Sequence, residues 1–192
     1  IWAMTILVRP TTPAEDGQLL RPLAVAFGFD VSPERLERFQ SIPELMMRLG
    51  AFDGDELVGS AGSWTFAMTT PGGVPVDVEG LTVVGVLTTH RRRGVLTSMM
   101  RRHLDEVRAR GKAVAALFAT EGSIYGRFGY GLASIAGLIE LHRAHAAFVG
   151  SSSSPPGARF RLLDHDAAAR AFPPIWERVR TTTPGMLSRS DG

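Results

Sequence analysis

The chain contains no cysteine. Disulfides, thiolate metal sites and a cysteine nucleophile are therefore excluded, and with them acyl transfer through an acyl-cysteine intermediate. Lysine is almost absent too: Lys112 stands alone against twenty arginines, a bias that reads as the coding habit of a GC-rich genome. No charge sign is in large excess. The formal net charge is +2, although the sequence pI is about 9.6, and so small a surplus gives no reason to expect a nucleic-acid partner. Long hydrophobic runs are missing. The longest, Ala113 to Ala119, is far short of a membrane span, and no secretory signal is visible. A cytoplasmic protein with no membrane partner is the default expectation.

What is present is a globular composition, 44% hydrophobic and 21% charged over 192 residues. That is enough for one sizeable domain and part of another. Met4 is a candidate start. Thr5 to Arg9 reads as a strand, and Thr12-Pro13-Ala14-Glu15 as a capping box opening a helix with Leu19, Leu20, Leu23 and Phe27 on its apolar face. Ser32-Pro33 opens a second short helix carrying Leu36 and Phe39. Met46 to Phe52 and Glu56 to Met68 flank the turn Asp53-Gly54-Asp55, and after Pro71-Gly72-Gly73 the valine-rich run Val76 to Leu87 reads as a central strand. Arg93 to Arg110 is the clearest helix, with Leu96, Met99, Met100, Leu104 and Val107 in one stripe and Gly111 at its end. Lys112 to Thr120 and Leu138 to His142 are further candidate strands. Ser151 to Gly157 has linker composition. Beyond it, Arg159 to Leu163 reads as a strand and Ala167 onward as a helix, which repeats the opening of the chain. The domains expected are 4–150, a linker 151–157, and an incomplete second unit, 158–192, shorter than the ~40 residues that usually fold alone.

The chemistry concentrates in Val84-Gly85-Val86-Leu87-Thr88-Thr89-His90-Arg91-Arg92-Arg93-Gly94-Val95-Leu96. A buried strand enters a basic, glycine-containing turn, and an amphipathic helix follows directly. A helix N-terminus presents unpaired N–H groups and partial positive charge. Gly94 lets a ligand approach the backbone, and Arg91, Arg92 and Arg93 add full charges. Such a cradle suits a pyrophosphate. A plain strand–turn–helix with solvated arginines would contain Arg-Arg-Arg-Gly too, but the valine strand before it and the helix stripe after it favour the cradle.

This turn resembles the acetyl-CoA signature Arg/Gln-x-x-Gly-x-Gly/Ala of the GCN5-related N-acetyltransferase (GNAT) fold, with Leu96 as its one departure. Leu96 is expected to turn into the core. Together with Thr120-Glu121-Gly122-Ser123-Ile124-Tyr125-Gly126-Arg127-Phe128-Gly129-Tyr130-Gly131, it resembles the enhanced intracellular survival family of bacterial GNAT enzymes, over Thr5 to about Arg143 and more weakly from Phe160 to Leu187. The resemblance implies an α/β fold: a mixed, mostly antiparallel sheet flanked by helices, with the first strand and helix of a second GNAT-like domain. It implies acetyl-CoA as co-substrate with no metal, a cationic amine as acceptor (aminoglycoside, polyamine or lysine-type), and a homo-oligomer for the full-length protein.

By the same resemblance, Val84, Gly85, Val86, Arg91, Arg92, Arg93, Gly94, Val95, Leu96, Thr97, Thr120 and Glu121 are cofactor contacts, with the N–H of Val86 an oxyanion donor. Tyr125 becomes the general acid that protonates the departing CoA thiolate; Tyr130 competes for that role but fits the core better. Phe118 occupies a position where relatives carry a polar ring, which would make the amine pocket more apolar. The general base of the family is a C-terminal carboxylate supplied by a later domain, so none is assigned within these residues. His90 is either a cradle contact or a turn cap. Asp30 and Glu34 are either acceptor-attracting carboxylates or a solvated helix start. His142 and His145 read as surface histidines. The alternative of a different class is a non-catalytic acetyl-CoA-binding or assembly module, against which Tyr125 argues. A nucleic-acid reading of Arg91 to Arg93 lacks interleaved exposed aromatics.

Overall fold

The computed structural model describes residues 6–40, 47–146 and 157–189. Its sheet has five strands: β1 (Leu7–Pro10), β2 (Met47–Asp53), β3 (Glu56–Thr69), β4 (Pro75–Val86) and β5 (Val114–Leu117). Their order in space is their order in sequence. The first three junctions are antiparallel and β4–β5 is parallel. A parallel neighbour needs a crossover, and α3 (Val95–Ala109) supplies it. Helices α1 (Leu20–Phe27) and α2 (Pro33–Gln40) lie between β1 and β2 in the chain, and α4 (His165–Arg180) follows the sheet.

The helices divide between the two faces. Val95, Met99 and Met100 of α3 bury with Met47, Leu49, Ala51, Val58, Ala61, Leu81 and Leu87. On the other cluster, Leu19 and Leu20 join Phe39, Phe52 and Leu57, with Leu36 and Val83 packed alongside. Each fully buried leucine or methionine contributes about 1.5–3 kcal/mol. The helix stripe foreseen for α3 forms, but Val95 and His103 are buried in it as well. Phe27, expected on the apolar face of α1, is exposed. Helix α1 ends in the left-handed residue Gly28, at φ 69°.

Turn chemistry sets the hairpins. Asp53 pairs with Glu56, which leaves the two-residue turn Gly54-Asp55 with Gly54 at φ 61°, the left-handed backbone that glycine accepts without penalty. Thr12 N–H donates to Glu15 Oε2 at 2.9 Å, half of the expected capping box. The Thr12 hydroxyl also donates to that carboxylate rather than accepting from the helix. A short 3-10 turn, Asp16–Leu19, then leads into α1.

Two expected strands do not form. Residues 131–142 have no ladder, and Leu138, Ile139 and Leu141 are exposed. Residues 159–163 are likewise irregular, with Phe160 and Leu162 exposed. An alternating apolar pattern becomes a strand only where a neighbour accepts its hydrogen bonds, and neither run meets one among the described residues. Helix α4 does form, capped by Asp164, whose side chain accepts from Ala167 N–H at 2.7 Å. The chain after α4 joins the part of β3 that extends beyond β2: Met68 bridges Leu187, and Ser188 N–H donates to Ala67 O at 2.7 Å. Arg180 donates to Thr69 Oγ1 at 3.1 Å. The linker foreseen at 151–157 and the start at Met4 lie outside the described residues, Gly157 apart.

Candidate active site

Strand β4 contains the irregularity that makes the site. Gly62 pairs with Thr82 and Ser60 with Gly85, so β4 carries one residue more than β3 between these points. That is a β-bulge. Leu81 and Val84 therefore face the same cluster although they are three apart, and Val83 sits at φ 56°. A β-branched residue adopts a left-handed backbone only where its surroundings impose it. A bulge bends the strand that carries it. Here pairing with β5 stops at Leu81 and Leu117, immediately before the bulge.

The remainder of β4 keeps β3 on one side only. Leu87 N–H donates to Val58 O at 2.9 Å and Gly85 is paired with Ser60. Alternation then turns the N–H groups of Val84 and Val86 to the opposite edge, which has no ladder partner among the described residues. Gly85, expected among the cofactor contacts, has a packing role as well. A Cβ there would lie 2.7 Å from the backbone of Pro22 and Leu23, so its missing side chain lets α1 approach the sheet.

Immediately downstream, Thr88–His90 forms a 3-10 turn and residues 91–94 turn again into α3. Arg92 is at φ 61° and Gly94 at φ 81°. Left-handed residues in a turn curl successive N–H groups toward one side. Helix α3 has no side-chain cap, and the N–H groups of residues 92–97 meet no backbone acceptor among the described residues. A helix start concentrates about +0.5 of an elementary charge. A Cβ on Gly94 would meet nothing within 4 Å, so the approach to this backbone is open. Leu96 packs against the core as expected, and Val95 is buried in it; both face the turn through backbone alone. Thr97 is half-buried.

The three arginines are not equivalent. Arg91 and Arg92 are exposed and in no ion pair among the described residues, whereas Arg93 lies 3.5 Å from the carboxylate of Asp53. His90 is buried and reaches the same carboxylate at 3.0 Å. Its side-chain bonds run to Asp53 and to Thr89. Asp53 was legible in the sequence only as a hairpin residue, because nothing in its spacing discloses a partner 37 positions away.

After β5, Thr120 and Glu121 are exposed, and two 3-10 turns, Gly122–Ile124 and Gly126–Phe128, bracket Tyr125. Tyr125 packs against the cluster that Val84 and Val86 also border. Burial, with a smaller push from the Glu121 charge, raises its phenol above the ordinary value. Tyr130 meets it edge-on at 6.0 Å between ring centroids; its hydroxyl is buried without a hydrogen-bond partner, and burial pushes its pKa up to about 12. Tyr130 thus takes the core position expected of it. Phe118 is exposed, as are Asp30 and Glu34. The Ser32 hydroxyl, bonded to Glu34, holds that carboxyl below its usual range. His142 and His145 lie with ring centroids 5.6 Å apart on the surface. No group of three metal-ligating side chains occurs among the described residues.

Residues 7–133 match the family model for the acetyltransferase (GNAT) domain. The chain belongs to the GNAT family. This GNAT chain is 41% identical over 184 residues to an uncharacterised N-acetyltransferase of Streptomyces coelicolor, covering 92% of the chain and 43% of that protein. It is 35% identical over 193 residues to the N-acetyltransferase Eis of Mycobacterium tuberculosis, covering 97% of the chain and 48% of Eis. In solved structures it is similar to Eis1 of Mycobacterium abscessus, with a TM-score of 0.73 and 32% identity over 97% of the chain and 45% of Eis1. The chain thus spans about half the length of the curated relatives it matches. The family assignment carries the α/β fold and acetyl-CoA as co-substrate. Among the described residues, no helix is long and apolar enough to cross a membrane.

Proposed function

We propose that this GNAT domain transfers acetyl from acetyl-CoA directly to an amine, in a ternary complex with no acyl-enzyme. The observation that carries the reading is two successive groups of backbone donors without a backbone acceptor among the described residues: Val84 and Val86 N–H on the open edge of β4, then the N–H groups of residues 92–97 at the start of α3. The strand edge fits the amides of a pantetheine arm, and the helix start fits a pyrophosphate. Arg91 and Arg92 supply outward charge.

The chemistry follows from that alignment. The acceptor must be neutral, because a protonated amine, with a reference pKa near ~10.4, has no lone pair to give. Its nitrogen attacks the thioester carbonyl carbon, and the carbonyl π electrons move to oxygen. The N–H of Val86 donates to that oxyanion. Collapse re-forms the carbonyl and breaks the C–S bond. The thiolate takes the proton of Tyr125, whose raised pKa keeps it on the phenol at neutral pH until negative charge develops on sulfur. Net proton loss from the amine to solvent restores Tyr125. A cationic acceptor of aminoglycoside, polyamine or lysine type is part of this proposal, as are a cytoplasmic setting, a homo-oligomeric full-length protein and the start of a second domain at 158–192.

The test is CoA release with a polyamine acceptor, alongside calorimetry with acetyl-CoA, CoA and a short DNA duplex. Acetyl-CoA should bind and DNA should not. Tyr125→Phe should bind acetyl-CoA as the parent does and lose about 10²–10⁴-fold in turnover. Full turnover in that variant would make Tyr125 a packing residue and overturn its role.

A further inference from the structure

The arginine turn and the β2–β3 hairpin turn lie at the same end of the sheet, because the start of β3 runs beside the end of β4: Gly59 pairs with Val86, and Leu87 N–H bonds Val58 O. Asp53 closes β2 just before that hairpin turn. Its side chain is only 5% exposed, and its described contacts cross to the neighbouring turn. One carboxylate oxygen, Oδ2, is 3.0 Å from His90 Nε2 and 3.5 Å from an Arg93 guanidinium nitrogen. An ionised carboxylate only accepts, so His90 Nε2 carries the proton and donates to it. The second ring nitrogen, Nδ1, is then free to accept from the Thr89 hydroxyl at 2.8 Å. Residues 89, 90 and 93 are therefore tied through side chains to a single buried charge on another strand.

We propose that Asp53 is a positioning residue for the pyrophosphate-binding turn. It acts through His90 and Arg93 and never touches the ligand. The inference rests on the reading that residues 91–97 hold the pyrophosphate. A turn that must hold left-handed backbone at Arg92, a residue with a Cβ, does not keep that shape unaided. The Asp53 bonds hold it on either side, at His90 before and Arg93 after. They also turn the Arg93 guanidinium inward, leaving Arg91 and Arg92 as the outward charges. Two effects oppose each other here. The carboxylate lends negative charge to an anion site, which weakens binding, and it pre-forms the N–H cradle, which strengthens it. The Arg93 guanidinium 3.5 Å away offsets the Asp53 charge, so its field outside the turn is largely cancelled and pre-organisation wins.

The test uses the full 192-residue chain with D53A, D53N, H90L and H90Q, read by calorimetry with acetyl-CoA and by amide hydrogen exchange of the free protein. Asp53→Ala and His90→Leu should speed exchange at residues 88–97 relative to the β2–β3 ladder. If the turn then adopts its binding shape one time in ten, affinity falls about tenfold. His90→Gln, whose amide can still donate to Asp53, should recover most of the affinity. Higher affinity in D53N would mean that the carboxylate merely repels phosphate, and would overturn the inference. So would exchange that rises evenly over the whole sheet, or local loosening with unchanged affinity. Gly94→Glu in the same titration separates the two claims. If it abolishes binding while Asp53→Ala does not weaken it, the cradle stands and the positioning role falls. If Gly94→Glu binds normally, the cradle itself is misplaced and the inference falls with it.

Discussion

Replacing Gly85 with alanine tests how the open edge of β4 is built. The added Cβ would stand 2.7 Å from Leu23 N, Pro22 C and Pro22 O. Ordinary contact starts near 3.5 Å, so α1 or β4 must shift by roughly 0.8 Å. The obstacle is helix backbone and no rotamer change can relieve it. Overpacking of this kind costs about 1–3 kcal/mol, and the rigidity of the obstacle argues for the upper end. Against this, removing glycine's freedom in the unfolded chain returns about 0.4–1 kcal/mol. A net loss of about 2 kcal/mol is expected. Gly59 is the matched control, because it lies opposite Val86 on the adjacent strand. A Cβ there meets Val95 Cγ1 at 3.0 Å and the Met99 thioether at 3.1 Å. Methionine can re-seat, so Gly59→Ala should fall within ~1 kcal/mol of the parent. Urea unfolding of both variants decides the matter, with acetyl-CoA titration beside it. Gly85→Ala should also weaken binding, since the strand that moves carries Val84 and Val86. Equal stability of the two variants would refute the argument that α1 is seated on Gly85.

Gly94→Ala should cost about 1 kcal/mol of stability, because alanine resists φ 81°; its effect on acetyl-CoA affinity should be larger than that on stability, whereas Gly94→Glu should abolish binding. Among the described residues neither ring nitrogen of the buried His103 has a hydrogen-bond partner, so His103→Leu should stabilise the chain by about 1 kcal/mol. Burial holds the pKa of that imidazole down, against the Glu79 charge. Its neutral form is favoured in the folded state, so stability present above about pH 6.5 should decline as pH falls below it; the leucine variant should show a shallower decline in melting temperature. The chain has two tyrosines, which makes alkaline titration at 295 nm unambiguous. Tyr130 ionises near pH 12 when folded and near ~10 when unfolded. Stability is thus complete below pH ~10 and drains away as pH rises toward 12, with tyrosinate absorbance lagging a free-tyrosine control. Normal titration near pH 10 in the folded chain would contradict the burial of that hydroxyl.

Local rules in the sequence settled a good part of this protein. The Asp53 to Asp55 turn, the Ser32 cap, the stripe of α3 and the basic strand–turn–helix all depend on neighbours within a few residues, and such signals survive in a linear reading. The resemblance carried by that turn and by the second glycine-rich aromatic segment was enough to point to the family and its co-substrate. The runs at 138–142 and 159–163 show the limit of the same reasoning, because alternation supplies one face of a strand and says nothing about whether a partner edge exists. Tertiary structure alone decided the shape of the open edge. Valine at position 83 argues for regular strand, and only the unequal count of residues between the Gly62–Thr82 and Ser60–Gly85 pairs discloses the bulge that ends β5 pairing at Leu81. Nor did the sequence disclose that Gly85 seats α1 against the sheet. Asp53 acquired its tie to His90 and Arg93 by the same route: a buried charge selects its partner by proximity across strands, and proximity across strands is the one quantity that a string of residues does not carry.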